Sequence, residues 1–153
     1  MDNDNHSHSW LDGSVKQVFD FDGGIMAIGF KYDSEKKVLY ITLEGEVLLK
    51  ELDQLYRDIV TSTEFPPDIR SVWDLRKADL SLIDLNFIEK IFYVRKKYPE
   101  RSNAKAAFVA DSDLSYGVSR MYEVLSSFEF PQQIQPFREF SKAEEWILTE
   151  KLN

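Results

Sequence analysis

The chain has 153 residues, of which 27 are acidic and 19 basic, for a formal charge of −8. That length suits one domain that buries roughly 70% of the surface its unfolded chain exposes. An apolar fraction of 43% with 14% aromatics excludes a disordered chain. The acid excess argues against nucleic acid, which needs clustered Lys and Arg. The lack of Cys removes disulfides, thiolate nucleophiles and Cys-based zinc sites. No apolar run approaches the roughly 20 residues of a membrane span. The polar, acidic start MDNDNHSHSW does not read as a signal peptide, so a soluble cytoplasmic protein is expected.

Residues 1–13 read as a flexible lead-in and 14–153 as a single α/β domain. His6 and His8 have no third ligand nearby in sequence and read as solvated. A short strand is possible over Val15–Phe21, and Asp22-Gly23-Gly24 punctuates the chain after it. Ile25–Tyr32 and Lys37–Gly45 are short and rich in Ile, Val, Phe and Tyr. In the second, Val38, Tyr40 and Thr42 alternate with Leu39, Ile41 and Leu43, so both faces are covered. The polar link DSEK predicts an antiparallel hairpin.

From Glu46 the period changes from 2 to 3.6. Leu48, Leu52, Leu55 and Ile59 share a helical face, and Pro66-Pro67 forces an end. Ile69–Leu75 reads as a buried strand. Ser81-Leu-Ile-Asp84 has the form of a capping box and opens a helix to about Tyr98, before Pro99. Ala104–Ala110 is the next strand. Asp111, Ser112 and Asp113 offer caps for a third helix whose stripe, Leu114, Val118, Met121, Leu125 and Phe128, predicts one buried face. Gln133–Phe137 is a short strand. Ser141-Lys-Ala-Glu144 forms a second capping box and opens a last helix, with Ala143, Trp146 and Ile147 inward. Alternating elements imply right-handed crossovers. The expected fold class is therefore α/β, with a mixed, mostly parallel four- to five-stranded sheet, an N-terminal β-hairpin and flanking helices.

The strings VLYITLEGEV, WDLRKADLS, KAAFVAD, YGVSRMYEVL and FREFSKAEEWI, in this order over residues 25–150, resemble the SpoIIAA-like group. This group is related to STAS domains (sulphate transporter and anti-sigma factor antagonist) and has kinship with CRAL-TRIO lipid-binding domains. The resemblance implies a mixed sheet with flanking helices and a binding or regulatory role without catalysis or a cofactor. In the anti-sigma factor antagonists a serine in an Asp-Ser-Ser-Gly motif near a helix start is phosphorylated. Here Ala78-Asp79-Leu80-Ser81-Leu82 stands in that region, the motif is absent, and Ser81 reads as a helix cap.

Ligands of open α/β sheets gather at the carboxyl ends of parallel strands. Arg76, Ser115, Tyr116 and Arg120 fall there and are the candidate anion-binding residues, with Arg as a planar fork for phosphate or carboxylate. The competing structural reading pairs Arg76 or Arg120 with Asp74, Asp111 or Asp113. Gly117 inside a helix costs roughly 1 kcal/mol relative to Ala, which predicts a close approach to the sheet or to another subunit, or room for a ligand headgroup. The second helix carries two apolar rows: Leu85, Ile88 and Phe92, and Phe87, Ile91, Val94 and Tyr98. One row meets the sheet. The other packs on a neighbouring helix, or, as the candidate interface Phe87, Ile91, Val94 and Tyr98, on a second subunit. Lys96, Lys97 and Arg101 follow and suit anionic headgroups, although the net charge disfavours a general membrane-surface role.

Catalytic patterns are incomplete. FVADSDLS resembles the opening of haloacid dehalogenase-type phosphatases, with Asp111 as nucleophile and Asp113 as acid/base, but the downstream context is missing. An EF-hand loop starting at Asp111 has Tyr116 and Tyr122 where Gly and Glu belong. Both His residues lie in the lead-in, away from any Ser-His-Asp set. The expectation is a non-enzymatic STAS-like binding or regulatory domain, a homodimer, with a regulatory protein or a small apolar or anionic ligand as partner. The alternative is a lipid or other hydrophobic-ligand carrier, and a remote one a small phosphatase using Asp111 and Asp113.

Overall fold

A computed structural model describes residues 15–21 and 24–149. The lead-in, His6 and His8 lie outside the described residues. The elements are β1 (Val15–Phe21), β2 (Gly24–Asp33), β3 (Val38–Glu46), α1 (Leu49–Thr61), β4 (Ser71–Asp79), α2 (Leu85–Arg95), β5 (Ala106–Val109), α3 (Asp113–Ser126), β6 (Ile134–Phe137) and α4 (Phe140–Leu148), with a 3₁₀ turn at Pro99–Arg101. The six strands lie in sequence order in one sheet. β1, β2 and β3 pair antiparallel, and β3 through β6 pair parallel. The mixed sheet and flanking helices are as expected, and the possible strand at 15–21 is its edge.

Sequential order has a consequence. Right-handed crossovers that step in one direction along a sheet leave their helices on one face. Leu39, Ile41 and Leu43 of β3 accordingly share a core with Leu52, Leu55 and Ile59 of α1 and Ile91 of α2. Val38 of β3, Val72 of β4 and Val109 of β5 point the other way, to Ala143 and Ile147 of α4. The alternation read in β3 is thus a strand covered on both sides. A bulge between Thr42 and Glu44 shifts its register with β4, and Gly45 just beyond it has φ 84°, a backbone state that disfavours L side chains. In the β2–β3 turn, Asp33 Oδ1 accepts the N–H groups of Glu35 and Lys36, both at 3.0 Å, closing an Asx turn.

Three local expectations change. Asp84, not Ser81, caps α2: its Oδ1 accepts the Phe87 N–H at 2.9 Å. Ser81 instead donates to Asp79 Oδ1 at 2.7 Å. α4 starts at Phe140 with Glu139 as an N-cap that makes no side-chain bond, Ser141 lies inside the helix, and Glu144 turns toward the sheet to accept from Tyr40 OH and Lys36 Nζ. Ser112 does cap α3, accepting the Ser115 N–H at 3.0 Å, but that helix is rotated. Its buried positions are Ser115, Ser119 and Ser126. Leu114 and Phe128 are 55% and 80% exposed, while Val118, Met121 and Leu125 are half-buried at the margin.

Both rows of α2 are internal apart from Leu85, which is 57% exposed. Ile91, Val94 and Tyr98 are buried in the main core with Phe87 packed against them, and Tyr98 stacks on Tyr56 of α1 at 5.9 Å. Ile88 and Phe92 meet Phe130 and the α3 residues Met121, Tyr122 and Leu125. The row Phe87, Ile91, Val94 and Tyr98, expected as a subunit interface, is therefore corrected: it packs within the chain. Gly117 is corrected too. It is exposed, and a Cβ there meets nothing within 4 Å.

Candidate functional site

Arg76 lies within β4, three residues before its end, on the α4 side, where it grips Asp74 through Nε at 2.9 Å and Nη2 at 2.7 Å and lies over the Phe140 ring at 5.5 Å. The paired guanidinium holds the Asp74 carboxyl below its ordinary value, against the opposing effect of burial. Arg120, on α3 across the sheet, pairs with Glu123 at 3.3 Å. Tyr116 is covered by Arg138 at 4.5 Å, and Arg138 also takes Asp113 at 2.9 Å. Ser115 is buried. The structure therefore does not assemble Arg76, Ser115, Tyr116 and Arg120 into one cradle, and the Arg76–Asp74 pairing is the one the structural reading expected. Among the described residues, no cluster of three or more His, Asp or Glu could hold a metal ion.

An open groove of about 510 Å³ lies between β2–β3 and α4, lined by Lys31, Tyr40, Thr42, Phe140 and Glu144 among others. Three of its polar side chains bond together, with Lys36 and Tyr40 both donating to Glu144. Tyr40 donates to Glu144, which lowers the Glu144 carboxyl. Burial, and then this bond, raise the Tyr40 phenol.

The other face of the sheet holds a different kind of space. A cavity of about 90 Å³, partly open to solvent, sits between the sheet and α1–α3, walled mostly by aliphatic and aromatic side chains such as Leu52, Leu75, Ile91 and Phe108. One end is polar, with Arg95, Arg101 and Gln132 lining it, and Ser119 of α3 lines the cavity as well. Arg95 stands one position past the last Ile91–Val94 contact of α2, at i+7 from Ile88 and i+3 from Phe92, so the helix carries its stem into the core. Its Nη1 donates to Tyr122 OH at 2.9 Å and Ser126 Oγ at 3.2 Å, its Nη2 donates to Gln132 Oε1, and its guanidinium lies 3.8 Å from the Phe130 centroid. The 3₁₀ turn after Pro99 swings Arg101 under β4. There Nη1 donates to the carbonyls of Pro67 at 3.0 Å and Ile69 at 2.6 Å, and Nη2 donates to Ser71 Oγ at 3.3 Å.

These partners are all neutral. Arg95 and Arg101 are 4% and 3% exposed, and neither forms an ion pair among the described residues; every described salt bridge is made by other side chains. Burial lowers the Arg101 pKa, and the exposed Asp68 opposes that from beyond contact. For Arg95, burial is outweighed by the phenols of Tyr122 and Tyr56, and the net shift is upward. Two buried polar atoms of the lining residues have no hydrogen-bond partner, Arg101 Nε and Ser119 Oγ. A third such atom, Glu123 Oε1, lies in the ion pair with Arg120.

Of these cavity residues the sequence singled out only Arg101, read with Lys96 and Lys97 as suited to anionic headgroups, and the structure buries it at 3% exposure. The available signals were a cation placed in the apolar pattern of α2 and the serines at 115, 119 and 126, spaced 4 and 7 apart on one helical face.

No protein-family model and no curated protein matches this sequence. Among solved structures, the fold is similar to that of an uncharacterised protein of the DUF3478 family with a SpoIIAA-like fold from Shewanella loihica PV-4, with TM-score 0.54 and 14% identity, covering 80% of this chain and 93% of the other. The chain has a SpoIIAA-like fold. Among the described residues, no helix is long and apolar enough to cross a membrane.

Proposed function

We propose that this chain is a non-enzymatic binding domain that takes a small, largely apolar molecule into the cavity between the sheet and α1–α3. The observation that carries the reading is the cavity itself, about 90 Å³, walled by side chains of the main core and partly open to solvent. Interiors are packed to crystal density, so such a recess leaves apolar surface that a ligand can cover, at about 25 cal/mol per Å². Size sets the class: a closed apolar cavity of about 150 Å³ holds benzene, so a recess of about 90 Å³ that opens to solvent takes a short chain or small ring with part of it protruding, and drug-sized ligands need roughly 300 Å³ or more. The favoured occupant is thus smaller than a long acyl chain, which places a small-molecule binder ahead of a lipid carrier.

Thermal unfolding in the presence of small apolar probes tests the reading. Benzene, hexan-1-ol and hexanoate form the series. A ligand bound only by the folded state raises Tm as its concentration passes Kd. At least one probe is expected to do so in the wild type, and the effect is expected to vanish in Val118→Phe, which projects a ring into the cavity. If no member of the series shifts Tm at millimolar concentration, the reading is wrong.

A further inference from the structure

The polar end of the cavity is built for a charge that the chain does not supply. Transferring an ion from water to the interior costs several kcal/mol even after relaxation, and Lys, Glu, Arg and Asp are almost never fully buried unless paired. This chain has 27 carboxylate side chains against 19 cationic ones. Acids are plentiful, yet none of those described reaches Arg95 or Arg101 within ion-pair distance. The guanidinium of Arg101 spends both terminal nitrogens on carbonyls and Ser71 and keeps Nε unused. Ser119 Oγ, on α3, is equally unused although fully buried. Two unspent donors, one cationic, thus belong to residues that line one apolar cavity. A carboxylate has two oxygens and accepts from both.

We infer that the ligand is a small apolar carboxylate, with its tail among the aliphatic walls and its head accepting from Arg101 Nε and Ser119 Oγ, beside the second positive charge on Arg95. This rests on the cavity being a ligand site and adds the chemistry of the head. It accounts for three features together: two buried cations without a carboxylate, two orphaned donors, and a serine face on α3 where the apolar stripe was expected. A neutral ligand satisfies the walls and leaves the charges as they are. A cationic one adds to the repulsion.

The test compares three probes of one length, hexanoate, hexan-1-ol and hexylammonium, by titration calorimetry on the full chain at pH 7. Hexanoate is expected to bind at least tenfold tighter than hexan-1-ol, and hexylammonium not to bind. Butanoate through hexanoate should gain about fourfold per methylene until the cavity is full. Ser119→Ala removes a hydroxyl that holds nothing in the fold, so it should keep its Tm and weaken hexanoate by about tenfold with hexan-1-ol unchanged. Arg101→Met, where it folds, should erase the preference for hexanoate. Equal binding of hexanoate and hexan-1-ol, or a Ser119→Ala variant with wild-type selectivity, overturns the carboxylate and leaves the cavity reading standing. Binding of none of the probes overturns the cavity reading itself.

Discussion

Replacing Gly117 by Ala tests how α3 is set on the molecule. The residue lies inside the helix Asp113–Ser126, where glycine costs about 0.8–1 kcal/mol relative to alanine. Part of that cost is the extra freedom of glycine in the unfolded chain, which the new methyl group removes. Nothing in the fold opposes it, because the added Cβ meets no atom within 4 Å. The expected gain is therefore about 0.5–1 kcal/mol. For a chain of this length that is a rise in Tm of about 2–3 °C. In urea, followed by far-UV circular dichroism, the midpoint should rise by about 0.5 M with an unchanged slope. A lower midpoint refutes the placement of Gly117 on an open surface. Should the loss be greater at high protein concentration than at low, another subunit covers the helix, since mass action couples association to stability.

Two further outcomes follow from the same geometry. Ile88 is fully buried against Phe92 and Phe130, so Ile88→Ala should cost 2–5 kcal/mol, whereas Phe128→Ala, at a position 80% exposed, should stay within about 0.5 kcal/mol; equal losses by denaturant titration would mean that α3 presents the opposite face to the core. The Glu144 carboxyl is held below its ordinary value by the Tyr40 hydroxyl, with burial opposing and Lys36 assisting. A depressed folded pKa contributes stability that is present above the unfolded value and is lost as pH falls through the folded one. The stability gap between wild type and Glu144→Gln should therefore be widest near neutral pH and close as pH falls from about 5 to below 4; midpoints measured at pH 7, 5 and 3.5 check this, and a gap that does not narrow in acid refutes it.

Legibility in the sequence followed the range of the interaction concerned. Strand β3 was readable because alternation is a local property: Leu39 and Ile41 must face one way and Val38 and Tyr40 the other, whatever covers them, and the two cores confirm it. The change to a 3.6 period at α1 and the prolines after it are local in the same sense. Caps were less readable. Ser81 and Asp84 are both good cap residues, as are Ser141 and Glu144 in a box, and the choice depends on where the backbone first turns helical, which tertiary contacts set. Glu144 was drawn away by Tyr40, a residue 104 positions earlier.

The rotation of α3 shows the limit most clearly. Its apolar stripe, taken alone, predicts the buried face, and the helix instead turns Ser115, Ser119 and Ser126 inward. A helix is oriented by what lies opposite it, and opposite α3 lie Phe92, Phe130 and the guanidinium of Arg95, which Ser126 and Tyr122 bind. Full apolar burial there would leave that guanidinium unsatisfied, at the cost of a lost charged hydrogen bond and an unpaired ion. The cavity's polar end was unreadable for the same reason. Arg95, Arg101, Ser119 and Gln132 come from α2, a 3₁₀ turn, α3 and the approach to β6, and no period or motif joins them. What sequence does carry is narrower: a cation at i+7 from Ile88 on an otherwise apolar row either extends its head to water or is buried by design. At 4% exposure Arg95 is buried, and with Ser126 bonded to it and Ser119 lining the cavity on α3 it implies a polar chamber behind the helix rather than a defect in its pattern.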